Sequence, residues 1–227
     1  MTQNGNLSTD IEICGKLEDI EDINIKGMEN AKRAIFFIKK GVMRRVDRDV
    51  GGFYIPVIVQ DITLLKEQKS LNSDNPLNEK AIGTASSLKV GERYKIFINL
   101  TKLTVSLKDN TYRKITFLDA QEIYLVDKDY PGENKATGKF RLWEDPSTER
   151  NKVGLFSTLK LIGENRSRPR LVAISKDKNA NYCTQLKKGD IIDIEGSIYA
   201  DTYDIIDSGG NVNKTDSFSI YVDKIEK

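Results

Sequence analysis

The sequence predicts a mostly β protein made of two similar small barrels in tandem. Three observations carry this prediction: apolar and polar residues alternate in many short runs, one strand pattern occurs twice, and the chain has 227 residues. Alternation with a period of two is typical of strands that bury one face. A repeat of about one hundred residues is too long for a solenoid unit and suits two small domains.

The clearest strand pattern lies at residues 186–204. It begins with a polar turn in which Gly189 can take the positive φ that other residues resist. Isoleucines then alternate with polar residues, and Gly196 interrupts the run in its middle. A glycine in that place predicts a bulge or a sharp bend of the kind that closes a barrel.

The same pattern occurs earlier in the chain. Residues 88–100 align with residues 186–198 without a gap, so that Gly91 falls on Gly189, 98 positions later. Downstream, residues 117–119 are aligned with residues 221–223 at a spacing of 104. The shared Leu-Lys-x-Gly-acid turn favours a true repeat over a chance likeness between two amphipathic strands.

Five strands and one helix are predicted for the first barrel. The strands lie at residues 11–17, 31–39, 53–60, 91–107 and 111–126. Residues 61–70 are predicted to form a helix over one end of the barrel, because Asp61 or Thr63 can cap it and its leucines can cover the core.

The second barrel is predicted to follow a linker at residues 127–137, which are rich in turn-forming residues. The two domains are therefore expected at residues 11–127 and 138–227. Residues 176–185 are too short and polar to predict a helix, so the second barrel is expected to lack one. Its strands, with one turn at 145–151, are predicted at residues 138–143, 153–162, 170–175, 186–204 and 218–227.

Composition limits the function classes. The formal net charge is +2, so any polyanion must be bound by local patches rather than by an overall field. Histidine is absent, and the sequence contains no CxxC, GxxxxGK[ST], GxSxG or HExxH motif. We therefore expect no enzyme, no cofactor and no metal. The two cysteines, Cys14 and Cys183, are expected to be packed residues of a soluble, cytoplasmic protein without a signal peptide.

The motifs resemble those of bacterial and phage single-stranded-DNA-binding proteins. In residues 186–204, a Lys-Gly-Asp turn leads into an apolar strand, a Glu-Gly bend and a return strand with tyrosines, as in that family. The hairpin at residues 31–60 extends the resemblance. It implies two tandem five-stranded OB-like barrels, with a short helix in the first. The family's acidic tail for recruiting repair proteins has no counterpart in the final Ile225-Glu226-Lys227, so such recruitment is not expected.

The resemblance also implies where a single strand would bind, because OB barrels place aromatic side chains under bases and cations along phosphates. Tyr54 falls on a stacking position of the family, although a tyrosine in a barrel wall is an alternative. The basic loop at residues 39–48 could be a phosphate-binding hairpin or a solvated tip. The candidate residues are Lys39, Lys40, Arg44, Arg45, Arg48 and Tyr54 in the first barrel, and Lys139, Arg141, Trp143, Arg166, Arg168, Arg170, Tyr199 and Tyr203 in the second.

The expected function is sequence-tolerant coating of single-stranded DNA in replication, recombination or DNA transfer. Abundant Lys and Asn suggest a phage- or plasmid-like origin. Two alternatives remain: an OB-fold module that binds RNA, and a structural or assembly protein whose barrels contact other proteins. A homo-oligomer is compatible with each of them, and no membrane contact is expected.

Overall fold

The computed structural model describes residues 9–23, 28, 30–39, 52–67, 80–106, 112–163, 169–206 and 212–227. This part of the chain forms thirteen strands, one α-helix and one 3-10 turn at Ala85–Ser87. The strands of the first half are β1 (Thr9–Asp22), β2 (Lys32–Lys39), β3 (Gly52–Val59), β4 (Leu64–Glu67), β5 (Lys80–Thr84), β6 (Arg93–Ser106) and β7 (Tyr112–Leu125). The second half contains β8 (Glu133–Leu142), β9 (Ser147–Asn151), β10 (Gly154–Gly163), β11 (Arg170–Lys176), α1 (Asp177–Cys183), β12 (Ile191–Ile206) and β13 (Val212–Glu226).

Five strands of the first half form a closed ring in the order β1–β2–β3–β7–β6 and back to β1. Every neighbouring pair is antiparallel except β3 and β7, where Ile58 lies opposite Asp119 in parallel. The apolar alternation in the sequence fills this ring, since Phe36, Ile55 and Val57 point inward and are fully buried. The β4–β5 hairpin adds to the outer edge of β7.

The second half repeats the same topology. The ring runs β8–β10–β11–β13–β12 and back to β8, again with a single parallel pair, between β11 and β13. The short strand β9 pairs only with the edge of β10. Two five-stranded rings with this connectivity are OB-like barrels, so the predicted fold class is confirmed.

The glycine turns that revealed the repeat have the same geometry in both barrels. Gly91 has φ +94° and Gly189 has φ +91°, as predicted for the turn before the fourth barrel strand. Each donates its N–H to the first strand of its own barrel, to the carbonyl of Leu17 at 2.8 Å and of Leu142 at 2.9 Å. A side chain at either position would strain the turn.

The fourth strands also carry a bulge at the same place in the repeat, before Ile98 in β6 and before Gly196 in β12. A Cβ on Gly196 would lie 2.1 Å from the carbonyl oxygen of Tyr221, so only glycine fits. The residues opposite the two bulges are Ala120 and Val222, 102 positions apart. The predicted spacing of 104 was therefore wrong. A shift of two residues preserves the in–out alternation, so periodicity alone does not detect it.

The helix was predicted in the wrong barrel. Residues 64–67 form strand β4, in which Leu64 is exposed and Leu65 is buried, as expected for a period of two. The α-helix lies instead between β11 and β12, in a segment judged too polar for one. Its Ala180 and Cys183 are three residues apart and both fully buried, so a short apolar stripe is enough to seat it on the barrel.

The barrels are joined by main-chain pairing between β1 and β8. Residues 11–14 of β1 bond to β6 on one edge and to β8 on the other. Residues 133–137, which were expected in the linker, therefore belong to β8, and the second barrel begins at Glu133. Residues 147–151, expected to form a turn, are strand β9.

A buried ion pair connects the barrels a second time. The Arg33 guanidinium on β2 donates two hydrogen bonds to the Asp216 carboxylate on β13, at 2.6 and 2.7 Å. It also donates to Glu21 at 2.9 Å and to Thr202 at 3.1 Å. Hydrogen bonding to Asp216 raises the pKa of Arg33, which therefore stays charged.

One hydrophobic cluster runs through both barrels. Cys14 and Cys183 are buried free thiols, and burial raises the pKa of both. Among the described residues, no helix is long and apolar enough to cross a membrane. No three His, Cys, Asp or Glu side chains in the same ranges are arranged to hold a metal ion.

We propose that each barrel is a folding unit and that the Arg33–Asp216 pair couples the two. Asp216→Asn removes the buried carboxylate and leaves Arg33 with the more exposed Glu21 as its counter-charge, so unfolding free energy should fall, by at most about 3–5 kcal/mol. Urea denaturation measures this loss, and uncoupled units should appear as two transitions.

Two variants control this experiment. Asp201→Asn changes an exposed carboxylate on the neighbouring strand β12 and should leave stability nearly unchanged. The double variant Arg33→Met with Asp216→Leu removes both charges and should lose less stability than Asp216→Asn. If Asp216→Asn unfolds like the wild type, the pair does not hold the barrels together.

Candidate nucleic-acid interface

The first candidate surface is the outer face of β2 and β3, which we call the Tyr54 face and define by Phe37 and Tyr54. These two residues are cross-strand partners, and their ring centroids lie 5.2 Å apart. Tyr54 is 57% exposed, whereas Phe36 is fully buried in the core. The two phenylalanines at 36 and 37 therefore point to opposite faces, as their parity predicts. Tyr54 stands in solvent with a second ring beside it.

In the chain, the predicted basic loop lies between Phe37 on β2 and Tyr54 on β3. Lys39 ends β2 and its main chain pairs with Gly52, so the loop starts and ends beside Tyr54. The positions of Lys40, Arg44, Arg45 and Arg48 lie outside the described residues, and so does the side chain of Lys39.

The second candidate surface lies between the two barrels, and we call it the Trp143 groove. It has a volume of about 540 Å³. Trp143 follows β8, and its main-chain N–H donates to the carbonyl of Lys160 on β10 at 2.8 Å. The Trp143 side chain is 45% exposed, and the Arg170 guanidinium lies 4.1 Å from its ring centroid. The groove is defined by Thr116, Trp143, Lys160, Arg170, Tyr203 and Phe218.

Three residues predicted from separate parts of the sequence meet in this groove: Trp143, Arg170 and Tyr203. Tyr203 reaches it from β12 and is 49% exposed. Thr116 is contributed by β7 of the first barrel. Its hydroxyl donates to the Arg170 carbonyl at 2.9 Å and accepts from the Arg170 N–H at 3.2 Å. The groove therefore contains residues from both barrels.

Lys139 and Arg141, the other predicted cations that the structure describes in the second barrel, do not line the groove. Lys139 and Arg141 share the outward face of β8, as predicted, but Lys139 is paired with Asp193 at 3.6 Å. Arg141 donates to the carbonyl of Gly189 at 3.2 Å. Arg166 and Arg168 lie outside the described residues.

The prediction that Tyr199 belongs to the interface was wrong. It is only 8% exposed, and its ring lies between Phe53 of the first barrel, at 5.0 Å, and Tyr221, at 4.6 Å. The ring is therefore part of the joint between the barrels and cannot stack on a base. The physical reason is that β12 continues past its own barrel and packs against β3.

Sequence reasoning did not identify several residues that lie beside these surfaces. Sequence parity did not decide whether Phe37 lies in the core or on the surface. No sequence feature marked Thr116 or Lys160 as a candidate. Lys160 alternates with apolar residues along β10, and this alternation predicts exposure without saying what lies next to it.

A second groove, of about 730 Å³, lies on the outer face of β1, β6, β7 and β8. Its central cation, Lys95, is already held by Glu12 and Glu133. Burial, and after it the neighbouring Glu12 carboxyl, raise the pKa of Glu133. Carboxylates repel phosphates, so the Trp143 groove is the better site for a polyanion. In that groove Glu144 is paired with Lys160 at 2.8 Å.

Comparison with known proteins finds solved structures that have a similar fold. No protein-family model and no curated protein matches the sequence. Two solved structures of the single-stranded DNA binding protein from Thermus aquaticus are similar to this chain, each with 12% identity. The wild-type form has a TM-score of 0.61 and covers 98% of this chain and 94% of its own. A deletion mutant has a TM-score of 0.60, with 98% and 95% covered. The predicted resemblance is confirmed at the level of the fold.

Tyr199 also gives the stability of the joint between the barrels a dependence on pH. Burial, with smaller effects of Tyr221 and Asp223, raises its pKa to about 12. Its contribution to stability is present below the unfolded pKa of about 10 and is lost as the pH rises through the folded value. At pH 11 this costs the wild type about 1 kcal/mol of unfolding free energy.

Tyr199→Phe has no phenol to ionise and should lose less stability between pH 9 and pH 11, measured by urea unfolding at each pH. Tyr203→Phe, at an exposed ring on the same strand, is the control and should follow the wild-type curve. Identical curves for all three proteins would contradict the buried position of Tyr199.

Proposed function

We propose that this protein binds single-stranded DNA with little sequence preference. The observation that carries the proposal is the Trp143 groove, where two exposed aromatic rings and the Arg170 guanidinium lie together on an OB-like barrel. Exposed rings on such barrels stack on bases, and every base has a face to stack on. The similar fold of the Thermus aquaticus single-stranded DNA binding protein supports the same function.

The Tyr54 face supplies a comparable arrangement on the first barrel. Tyr54 and Phe37 offer aromatic surface, and the loop that carries Arg44, Arg45 and Arg48 starts beside them. In the sequence the arginines of this loop therefore lie between Phe37 and Tyr54, and in the second barrel the Arg170 guanidinium lies over the Trp143 ring. Two such surfaces in one chain raise the affinity for a long strand, because the second contact forms at a high effective concentration.

The finer role that we propose is coating of single strands during replication, recombination or DNA transfer, in a phage- or plasmid-like setting in the cytoplasm. The protein acts by binding and not as an enzyme. RNA remains an alternative ligand, since OB barrels accept both nucleic acids. Competition between DNA and RNA oligonucleotides of equal length decides between them.

An assembly role is favoured by a different observation. The β4–β5 hairpin and the turn before it expose three aliphatic side chains, Ile62 at 81%, Leu64 and Ile82. Exposed apolar patches are typical of protein–protein interaction sites. An assembly protein would show no salt-dependent binding to oligonucleotides.

The proposal predicts that oligo(dT) binds well above a duplex of the same length, with affinity that falls as salt rises. The logarithmic slope should be about 0.7 for each neutralised phosphate. Fluorescence anisotropy across a salt series measures both quantities. Equal affinity for duplex and single strand would indicate general polyanion binding and contradict the proposal.

The Tyr54 face predicts that charge and stacking can be separated. Replacing Arg44, Arg45 and Arg48 with Ala should weaken binding and flatten the salt slope, because fewer counterions are released. Tyr54→Ala should weaken binding by about 1–3 kcal/mol with the slope nearly unchanged. The same salt titration measures both effects.

Tyr54→Phe is the matched control, since it keeps the ring and should bind like the wild type. Melting temperatures must accompany each titration, because loss of packing against Phe37 could imitate a loss of stacking. Normal binding by Tyr54→Ala at unchanged stability would remove Tyr54 from the interface. An unchanged salt slope in the arginine variant would make the loop a solvated tip.

A further inference from the structure

Trp143 is the single tryptophan of the chain, and its place in the fold is well defined. The residue lies just beyond β8, where its main-chain N–H donates to the carbonyl of Lys160. The side chain is partly exposed at the mouth of the Trp143 groove, with one neighbour over its ring, the Arg170 guanidinium at 4.1 Å. A large ring in this position is open to solvent over nearly half of its surface and has the Arg170 guanidinium over one face.

Arg170 is available to a negatively charged ligand. Its main chain is anchored through the hydroxyl of Thr116 on the first barrel. Its guanidinium makes no ion pair with any residue in the described part of the chain. The two carboxylates that line the groove are already paired, Glu144 with Lys160 and Asp216 with Arg33. Within the described ranges, the positive charge of Arg170 therefore has no carboxylate partner in the groove.

The groove also has the dimensions of a ligand site. Its volume of about 540 Å³ lies within the range of small-molecule pockets. Tyr203 stands in the same groove with half of its surface exposed, and Phe218 contributes further apolar surface. These features suit a flat, partly apolar ligand with an anion attached, which describes a nucleotide.

We propose that one nucleobase of single-stranded DNA stacks on Trp143 in this groove and takes the ring face that Arg170 now covers. The guanidinium then turns to the adjoining phosphate, for which its planar fork is well suited. Stacking of a base on indole is stronger than an exposed cation–π contact, so the exchange favours the bound state. This inference rests on the proposed function and adds a specific base site to which both barrels contribute.

The single tryptophan makes the test direct. The full chain is titrated with oligo(dT) while Trp143 fluorescence is excited where tyrosine does not absorb, and anisotropy of labelled oligo(dT) measures binding in parallel. Stacking should quench the tryptophan in step with the anisotropy change. Trp143→Ala should weaken binding about tenfold to a hundredfold, and Trp143→Phe should lose much less.

Two further variants sharpen the test. Arg170→Ala should flatten the salt slope by about one phosphate while quenching of Trp143 persists. Val153→Ala changes an exposed apolar residue of the same barrel outside the groove and should bind like the wild type. Melting temperatures identify variants that fail to fold, and the wild-type fluorescence titration does not depend on any variant.

The outcomes separate the base site at Trp143 from the proposed function. If oligo(dT) binds but leaves Trp143 fluorescence unchanged, and Trp143→Ala binds like the wild type, the base site is refuted and the proposed function stands. If oligo(dT) does not bind the wild type at low salt, the proposed function fails, and the base site fails with it. Quenching of Trp143 fluorescence, together with weaker binding by Trp143→Ala, supports both the base site and the proposed function.

Discussion

The structure depends on the pairing of β1 along both of its edges. Over residues 11–14 the main chain bonds to β6, which closes the first barrel, and to β8, which opens the second. Main-chain hydrogen bonds of a buried strand cannot be given up without leaving polar groups unsatisfied. The first strand of one barrel therefore sets the position of the other.

The contacts between the barrels follow from this constraint. Because β8 is held against β1, the long β12–β13 hairpin reaches past its own barrel to β2 and β3. There Asp216 binds Arg33, and Tyr199 packs on Phe53. On the other side β7 brings Thr116 to Arg170, which completes the Trp143 groove. The candidate interface is thus a product of how the barrels are joined, and neither barrel contains all of it.

The distribution of charge limits the surfaces to which single-stranded DNA could bind. With a net charge of +2, the protein has no general field to attract a polyanion, and many lysines are already paired with carboxylates. Recognition must then depend on a few exposed rings with nearby uncompensated cations. Trp143 with Arg170 meets this condition among the described residues, whereas the groove around Lys95 is occupied by its own carboxylates.

The sequence by itself determined the fold class, the repeat, the turns at Gly91 and Gly189 and the bulge at Gly196. Alternation and glycine geometry are local properties, so they can be read along the chain. Local patterns were insufficient to predict the helix, because only two small buried residues pack α1 against the barrel.

Tyr199 and Tyr203 show what the tertiary structure alone decided. They lie four residues apart on the same strand, and the packing of β12 on the first barrel buries one ring while leaving the other in the groove. Burial of that kind depends on residues distant in sequence, which no local pattern contains.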